Sequence, residues 1–391
     1  MSIQGSATDT SDRPLRLGMV GGGQGAFVGA VHRMAARLDD RYRLVAGALS
    51  SEPARAKASA VGLGIAPDRA YGTYAQMAAG EAAHSDRIDV VTIVTPNHLH
   101  FAPAKAFLEA GFDVICDKPL TTSVADAEEL LATCERTGRI LAVTYNYSGY
   151  PLVRHAREMI AAGALGTIRI VQLEYPQEWL TTPLEATGHK QAAWRTDPQQ
   201  SGVAGSLGDI GTHAFHLAEF VTGLKVSQLA ADLSTFVSGR RLDDNAQVLL
   251  RFANGARGML WASQVAPGHE NSLRLRVYGA KGGIEWQQEE PNHLRYAPFG
   301  ESPRTIARGG AGVGAAAWQA TRIPAGHPEG YLEGFAQIYR DTADLILARN
   351  APATGIVRTD VVPTVRDGLR GVRFVHAAVQ SSQANAAWVA L

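Results

Sequence analysis

Asp209 and His213 stand four residues apart in SLGDIGTHAFHLAEF, Ser206 to Phe220. On a helix that spacing turns both side chains to one side. A carboxylate beside an imidazole suits proton transfer, because imidazole changes charge near neutral pH. Lys118 closes the apolar run DVIC, with Asp117 before it and Pro119 after it. An ammonium placed there can hydrogen-bond an oxygen and stabilise negative charge developing on it. TPNHLH, Thr95 to His100, ends the run IDVVTIV in the same way. Each stretch also has a plainer reading. His98 and His100 would then be loop residues, Lys118 a solvated lysine, and Asp209 with His213 a helix cap.

A ligand for these groups is suggested upstream, by GMVGGGQGAFVGAVH, Gly18 to His32, which holds six glycines in fifteen residues. Glycines between a strand and a helix let the backbone approach a pyrophosphate, and the helix start offers unpaired N–H groups. Gly21 and Gly23 fit the first two positions of G-x-G-x-x-G/A, with Ala26 in the third; alternatively the loop is longer and Gly29 is the packing glycine. Gln24, Gly25 and Phe27 complete the candidate cradle. An acid at the end of the second strand would select a free ribose 2′-hydroxyl. Asp39 and Asp40 sit before that strand, and its end reads LSSEPAR, with Ser50, Ser51, Glu52 and Arg55. NAD and NADP are both compatible with that pattern.

The elements that must position these residues alternate regularly over the first part of the chain. Leu15–Val20, Arg43–Leu49, Ile88–Val94, Asp113–Cys116 and Ile140–Thr144 read as strands. Ala26–Leu38, Glu52–Val61, Phe101–Ala110 and Val124–Arg136 read as helices, the first with Phe27, Val31, Met34 and Leu38 on one face. Strands alternating with helices predict βαβ units and a doubly wound parallel sheet, with the ligand edge at the strands' carboxyl ends. Past Tyr147 the rhythm changes. A helix over Pro151–Ala162 leads into alternating strands over Thr167–Tyr175, Val226–Val237, Asn245–Phe252, Ala256–Val265 and Leu273–Tyr278, which predict an open, mostly antiparallel sheet. Residues 300–326 read as a long mobile loop, followed by helices over Gly330–Arg349 and near the end. The expected division is a disordered tail over 1–14, a dinucleotide-binding Rossmann domain over 15–147, and a substrate-binding and oligomerisation α/β domain over 148–391.

Composition narrows the class. Lys plus Arg and Asp plus Glu number 37 each among 391 residues, so no long-range field recruits nucleic acid or an acidic membrane. No apolar run approaches the roughly 18 residues that span a bilayer. The start is polar and lacks the apolar core of a signal peptide, and Cys116 and Cys134 are too few for a disulfide framework. A cytoplasmic protein without a metal is expected.

On these residues the chain resembles the Gfo/Idh/MocA family of oxidoreductases over nearly its whole length. The family's E-K-P stands here as Asp117–Lys118–Pro119, its D-x-G-x-H as Asp209 to His213, its T-P-x-x-x-H as Thr95, Pro96 and His100, and its W-R pair as Trp194–Arg195. The resemblance implies NAD(P)-dependent oxidation or reduction of a secondary hydroxyl of a sugar, anhydrosugar or cyclitol. It implies cofactor contacts from the glycine loop, Ser50, Ser51, Arg55, Thr95, Pro96, Asn97, His100, Asp117, Lys118, Pro119, Asn146, Trp194 and Arg195. Lys118, Asp209 and His213 would be catalytic, with His213 as base, Lys118 on the same oxygen, and Asp209 orienting His213 or binding an adjacent hydroxyl. Lys118 as base is the competing assignment. Tyr175, Trp179, His189 and Trp194 are the aromatic candidates beside the substrate, with Tyr175 the substrate contact. A homo-oligomer, dimer or tetramer, through the open sheet is also implied. Competing functions are an enzyme that retains NAD while cleaving or epimerising a glycoside, a regulator that only senses the nucleotide, and a metal site built from Asp209, His213, His216 and Glu219.

Overall fold

The structure, a computed structural model, describes residues 13–350 and 359–391; the expected tail lies outside them apart from its last two residues. The first half contains strands β1 (Leu15–Gly21), β2 (Tyr42–Ala48), β3 (Val90–Val94), β4 (Asp113–Cys116) and β5 (Leu141–Val143). Between them run α1 (Phe27–Leu38), α2 (Pro53–Gly62), α3 (Tyr74–Ala83), α4 (Phe101–Glu109) and α5 (Val124–Thr137). The strands are parallel in the order β2-β1-β3-β4-β5. Their near-continuous apolar sequences are what a sheet covered on both faces requires. The order reverses between β1 and β3, so the glycine loop after β1 and Thr95 after β3 open onto one crevice, the place where such sheets bind ligands.

In the second half α6 (Pro151–Ala161) precedes β6 (Ile168–Pro176), and α7 (Lys190–Arg195), α8 (Pro198–Ser201) and α9 (Thr212–Thr222) follow it. Then come β7 (Val226–Ser234), β8 (Asn245–Phe252), β9 (Arg257–Ser263), β10 (Arg274–Gly279), β11 (Gly282–Gln287), β12 (His293–Pro298), β13 (Arg304–Ala307), α10 (Ala315–Ala320), α11 (Tyr331–Asn350), α12 (Val365–Gln383) and β14 (Val389–Ala390). The sheet order is β13-β12-β11-β10-β6-β9-β8-β7-β14, antiparallel except for the β6–β9 pair. One face packs Val171, Leu173, Val248, Leu250, Leu260 and Val277 with Leu152 of α6, Phe215 of α9 and Phe374 of α12. The alternate residues point away, and Ile170, Leu249, Met259 and Tyr278 are 40–54% exposed. They lie on adjacent strands, Tyr278 opposite Ile170 and Leu249 opposite Met259.

Three expectations are corrected. In α1 the buried residues are Gly29, Val31, His32, Ala35 and Ala36, while Phe27, Met34 and Leu38 are exposed. Close packing admits the small side chains: a Cβ on Gly29 would lie 2.4 Å from Gly22 Cα. Residues 300–326 hold β13, paired with β12, and α10, which packs on α6. Buried Arg308 anchors them by hydrogen bonds to Glu329, Asn292 and the Ile323 and Pro324 carbonyls. α3, absent from the sequence reading, has only a weak apolar stripe and starts at Thr73, whose side chain accepts from Gln76 N. The chain also returns to the first sheet: α11 lays Phe335, Ala336, Tyr339 and Ile346 against Leu15, Val31, Ala35 and Tyr42. There the Tyr339 hydroxyl lies 2.8 Å from His32 Nδ1 and 2.9 Å from Thr92 Oγ1.

Candidate active site

The glycine loop is held open by its own backbone. Gly23 N donates to Leu49 O at 3.1 Å, Ala26 N to Gly23 O at 3.1 Å, and Gln24 N to Ser59 Oγ at 3.2 Å. Gly21, Gly22 and Gly25 adopt φ of 78°, 72° and 81°, which side chains resist. A Cβ on Gly23 would fall 2.6 Å from Leu49 O. Helix α1 begins at Phe27, and Ala26 before it gives no side-chain cap. The first-turn N–H groups are therefore left for a ligand. Of the two loop readings the longer one holds: Gly29 is the close-packing glycine and Ala26 the residue before the helix. These features fit a dinucleotide pyrophosphate.

A cleft of about 1110 Å³ runs from this loop to the second sheet. Gly21, Gly23, Gln24, Gly25, Ala26, Phe27, Ser50, Ser51, Arg55, Thr95, Pro96, Asn97, Asp117, Lys118 and Asn146 line it from the first half. Tyr175, Trp194, Arg195, Asp209 and His213 line it from the second. Two expected contacts stand elsewhere. His100 is fully buried, its ring nitrogens 2.8 Å and 2.9 Å from the carbonyl oxygens of Pro119 and Thr95, so it braces the β3 and β4 ends, and Pro119 is buried with it. Asp39 is at the opposite edge, bound to Arg322. At the end of β2, Ser50 Oγ accepts from Glu52 N, and Arg55 lies 3.6 Å from Glu52. Asn97 donates to Ser201 O, which joins the β3 loop to α8.

Lys118 comes off the end of β4 through a cis Lys118–Pro119 peptide. Its neighbour Asp117 accepts hydrogen bonds from Lys118 N and from Thr144 Oγ1, 2.9 and 2.7 Å, and so ties the ends of β4 and β5. Lys118 Nζ donates to Asp209 O at 2.5 Å and to Asp209 Oδ1 at 3.0 Å. Asp209 sits in a π-helical turn, Leu207–Gly211, that runs into α9. Such wide turns recur at functional sites. The turn is fastened by buried Asp243, which accepts from Gly205 N, Ser206 Oγ and Leu207 N at 2.7–2.8 Å. Asp209 Oδ2 accepts from Arg195 Nε at 3.1 Å and from Gln264 Nε2 at 2.9 Å. Burial alone would raise the Asp209 carboxyl; Lys118 and then Arg195 overcome this and hold it well below the usual carboxylate range.

His213 lies one turn beyond Asp209, 7% exposed. Burial, and next the charge of Lys118, push its imidazole well below the ordinary histidine value, so it is neutral. Its Nδ1 is buried and has no hydrogen-bond partner, and its ring meets that of Tyr147 edge to face at 4.9 Å. The expectation that Asp209 orients His213 is thus corrected: both Asp209 oxygens are taken by Lys118, Arg195 and Gln264. The wall opposite is polar. Tyr147 OH donates to Tyr175 OH at 2.5 Å, Tyr175 OH to Asn271 Oδ1 at 2.9 Å, and Asn271 Nδ2 to Gln288 Oε1 at 3.1 Å. Tyr147, Gln177, Asn271, Gln288 and Tyr331 line the cleft without having been singled out from the sequence. Gln177, Asn271 and Gln288 lie in the loops that flank β6, β10 and β11, where neutral amides carry no spacing signature. Of the aromatic candidates, Tyr175 and Trp194 reach the cleft. Trp179 and His189 do not: His189 caps α7 by accepting from Ala192 N.

The metal reading loses its geometry. His216 turns away to stack on Tyr145, centroids 4.2 Å apart, and Glu219 binds Arg370 and Lys225. Among the described residues no three His, Cys, Asp or Glu side chains gather as metal ligands do, and no helix is long and apolar enough to cross a membrane.

Comparison with known proteins agrees with this geometry. Residues 15–145 match the family model described as an oxidoreductase family with an NAD-binding Rossmann fold, and residues 153–285 match the GFO/IDH/MocA C-terminal domain. An oxidoreductase from Sinorhizobium meliloti of known structure is 53% identical, with a TM-score of 0.88 over 96% of this chain and 99% of that one. An inositol dehydrogenase homolog from Azotobacter vinelandii, solved with NADH and myo-inositol, is 36% identical, with a TM-score of 0.90 over 97% and 98%. Levoglucosan dehydrogenase of Pseudarthrobacter phenanthrenivorans is 30% identical over 307 residues, 72% of this chain and 76% of that protein. The first half is an NAD-binding Rossmann domain, and the chain belongs to the Gfo/Idh/MocA family of oxidoreductases.

Proposed function

We propose that the protein is a dehydrogenase that moves a hydride between a secondary hydroxyl of a sugar, anhydrosugar or cyclitol and NAD(P). The observation that carries this reading is the meeting in one cleft of Lys118, hydrogen-bonded to Asp209, and a neutral His213 one turn further on. Bound NAD(P) supplies the hydride acceptor or donor. His213 Nε2 takes the hydroxyl proton, since Nδ1 is shut away from the cleft. Lys118 donates a hydrogen bond to the same oxygen as negative charge develops there. The carbinol carbon loses hydride, its oxygen loses the proton, and a carbonyl is left. The amides of Gln177, Asn271 and Gln288 suit a neutral ligand with several hydroxyls, each of which both donates and accepts. The inositol dehydrogenase homolog and levoglucosan dehydrogenase support this substrate class.

Pyranoses, anhydrosugars and inositols, each offered with NAD and with NADP, test the reading through absorbance at the nicotinamide band. At least one should give sustained turnover. Binding of NADH without turnover of any of them overturns it. Ser50 in place of an acid at the end of β2 admits a 2′-phosphate, so NADP belongs in the screen. A homo-oligomer, dimer or tetramer, is part of the reading and rests on the exposed band of Ile170, Leu249, Met259 and Tyr278. Sedimentation should show the wild type assembled and Leu249→Glu with Met259→Glu as monomers. A cytoplasmic location is also included, in keeping with Cys116 and Cys134 being unpaired and buried.

A further inference from the structure

Arg33 stands on α1 one turn beyond Gly29, outside the cleft lining. Helix side chains lean toward the helix start, and this one reaches back to the glycine loop. Its Nη1 donates to Gly22 O at 2.5 Å and to Met19 Sδ at 3.7 Å. The N–H of the same peptide, that of Gly23, donates to Leu49 O at 3.1 Å. Close packing holds this peptide from the sides: a Cβ on Gly22 would fall 2.7 Å from Val94 Cγ2 and 3.0 Å from Gly29 Cα. The Gly22–Gly23 peptide is thus spent at both ends. It forms the back wall of the cradle, and the arginine stands behind it.

Arg33 is half-buried and has no carboxylate partner among the described residues; the other charge felt there, that of Arg37, is also positive. By contrast Arg69, Arg154, Arg308 and Arg322 are each paired with a carboxylate. A cation drawn partly out of water is costly unless a counter-charge meets it. We propose that the counter-charge of Arg33 is the pyrophosphate of the bound dinucleotide, felt across the Gly22–Gly23 peptide, so that Arg33 is a positioning residue for a cofactor it does not touch. It keeps the Gly22 carbonyl, an oxygen that would repel phosphate, turned back from the cleft. It also adds a full positive charge to the partial one at the start of α1. This goes beyond the dehydrogenase reading and rests on the NAD-binding domain alone.

The test is binding of NADH and of ADP-ribose to the full chain, unaltered and with two substitutions. Arg33→Gln keeps an N–H for Gly22 O without the charge, and Arg33→Lys keeps the charge. Arg33→Gln should bind both ligands about tenfold more weakly, by one factor because both carry the pyrophosphate. Arg33→Lys should lose less than about threefold. The deficit of Arg33→Gln should shrink between about 0.02 and about 0.5 M salt, since screening removes a charge effect and leaves a packing one. A loss below about threefold in Arg33→Gln overturns the proposal, as does tighter binding by Arg33→Gln than by Arg33→Lys. A deficit equal at both salt strengths also overturns it and makes the arginine a prop for the loop. If Arg33→Gln does not fold, Arg33→Met takes its place under the same thresholds. Failure of both to fold overturns the proposal, because the arginine then serves the fold instead of the cofactor. No alcohol is oxidised in these titrations, so an empty substrate screen sinks the dehydrogenase reading and leaves this proposal to its own result.

Discussion

Lys118 and His213 act on the same oxygen from different halves of the chain, so their variants should differ in kind. Lys118→Met leaves the glycine cradle intact; NADH binding should persist while turnover drops by roughly 10²–10⁴-fold. Near-normal turnover would remove Lys118 from the reaction. For His213→Asn, kcat should fall by a similar factor and its pH dependence should change. The wild-type imidazole stays neutral well below its ordinary value, so the acid limb attributable to it lies at low pH and should vanish in the variant. A profile identical to wild type would make Lys118 the base. These residues were legible because their chemistry follows strand ends or falls at one helix spacing. His100 was legible as a polar residue and misread as a ligand contact, since only the fold shows its ring buried with a nitrogen facing each of two carbonyl oxygens, the one N–H free to donate to either. Gln264, which fixes Asp209 from the end of β9, gave no signal at all.

At the level of elements, the β1–α1 junction separates two kinds of glycine. Gly29→Ala drives a methyl into the Gly22 backbone, 2.4 Å away, and must push the helix off the sheet. A loss of about 1–3 kcal/mol in unfolding free energy and at least about tenfold weaker NADH binding are expected. Gly25 has φ of 81° with nothing within 4 Å of an added Cβ. Gly25→Ala should therefore lose only about 1–2 kcal/mol, from the left-handed conformation. Equal weakening of NADH binding by the two substitutions would contradict the distinction. The parallel sheet was readable because its buried strands are unbroken apolar runs, and the matching strand over 113–116 begins and ends where the sequence reading put it. The face of α1 was not readable: of its periodic large residues Phe27, Met34 and Leu38 point outward and Val31 inward, because contact with the sheet and with α11 is close enough to favour alanine and glycine. Residues 300–326 looked mobile from their glycines and alanines, and the buried Arg308 that organises them resembles any surface arginine in sequence.

Over the whole molecule, burial lowers the affinity of several histidines for protons. His32 and His216 are pushed down to about 4, and His100 and His213 are also lowered. The unfolded chain, with histidines near 6.5, binds more protons in this window, so stability is full above pH 6.5 and is lost as pH falls toward 4. For His32 alone the fall from 6.5 to about 4 corresponds to ~3 kcal/mol. The denaturant midpoint should drop between pH 7 and 5, and less steeply in His32→Gln. A midpoint flat across that range would rule this out. Asp209 acts in the opposite sense and in a lower window, since its depressed carboxyl stabilises above the unfolded aspartate value and is lost below it. The docking of α11 on the first sheet has a last consequence, for anyone who would cut this protein in two. A fragment made of residues 15–147 would keep every glycine of the nucleotide cradle and lose Phe335, Ala336, Tyr339 and Ile346, the side chains that roof Leu15, Val31 and Tyr42. Such a fragment would carry a bare greasy flank and clump on expression, whereas the intact polypeptide closes over it with its own far end.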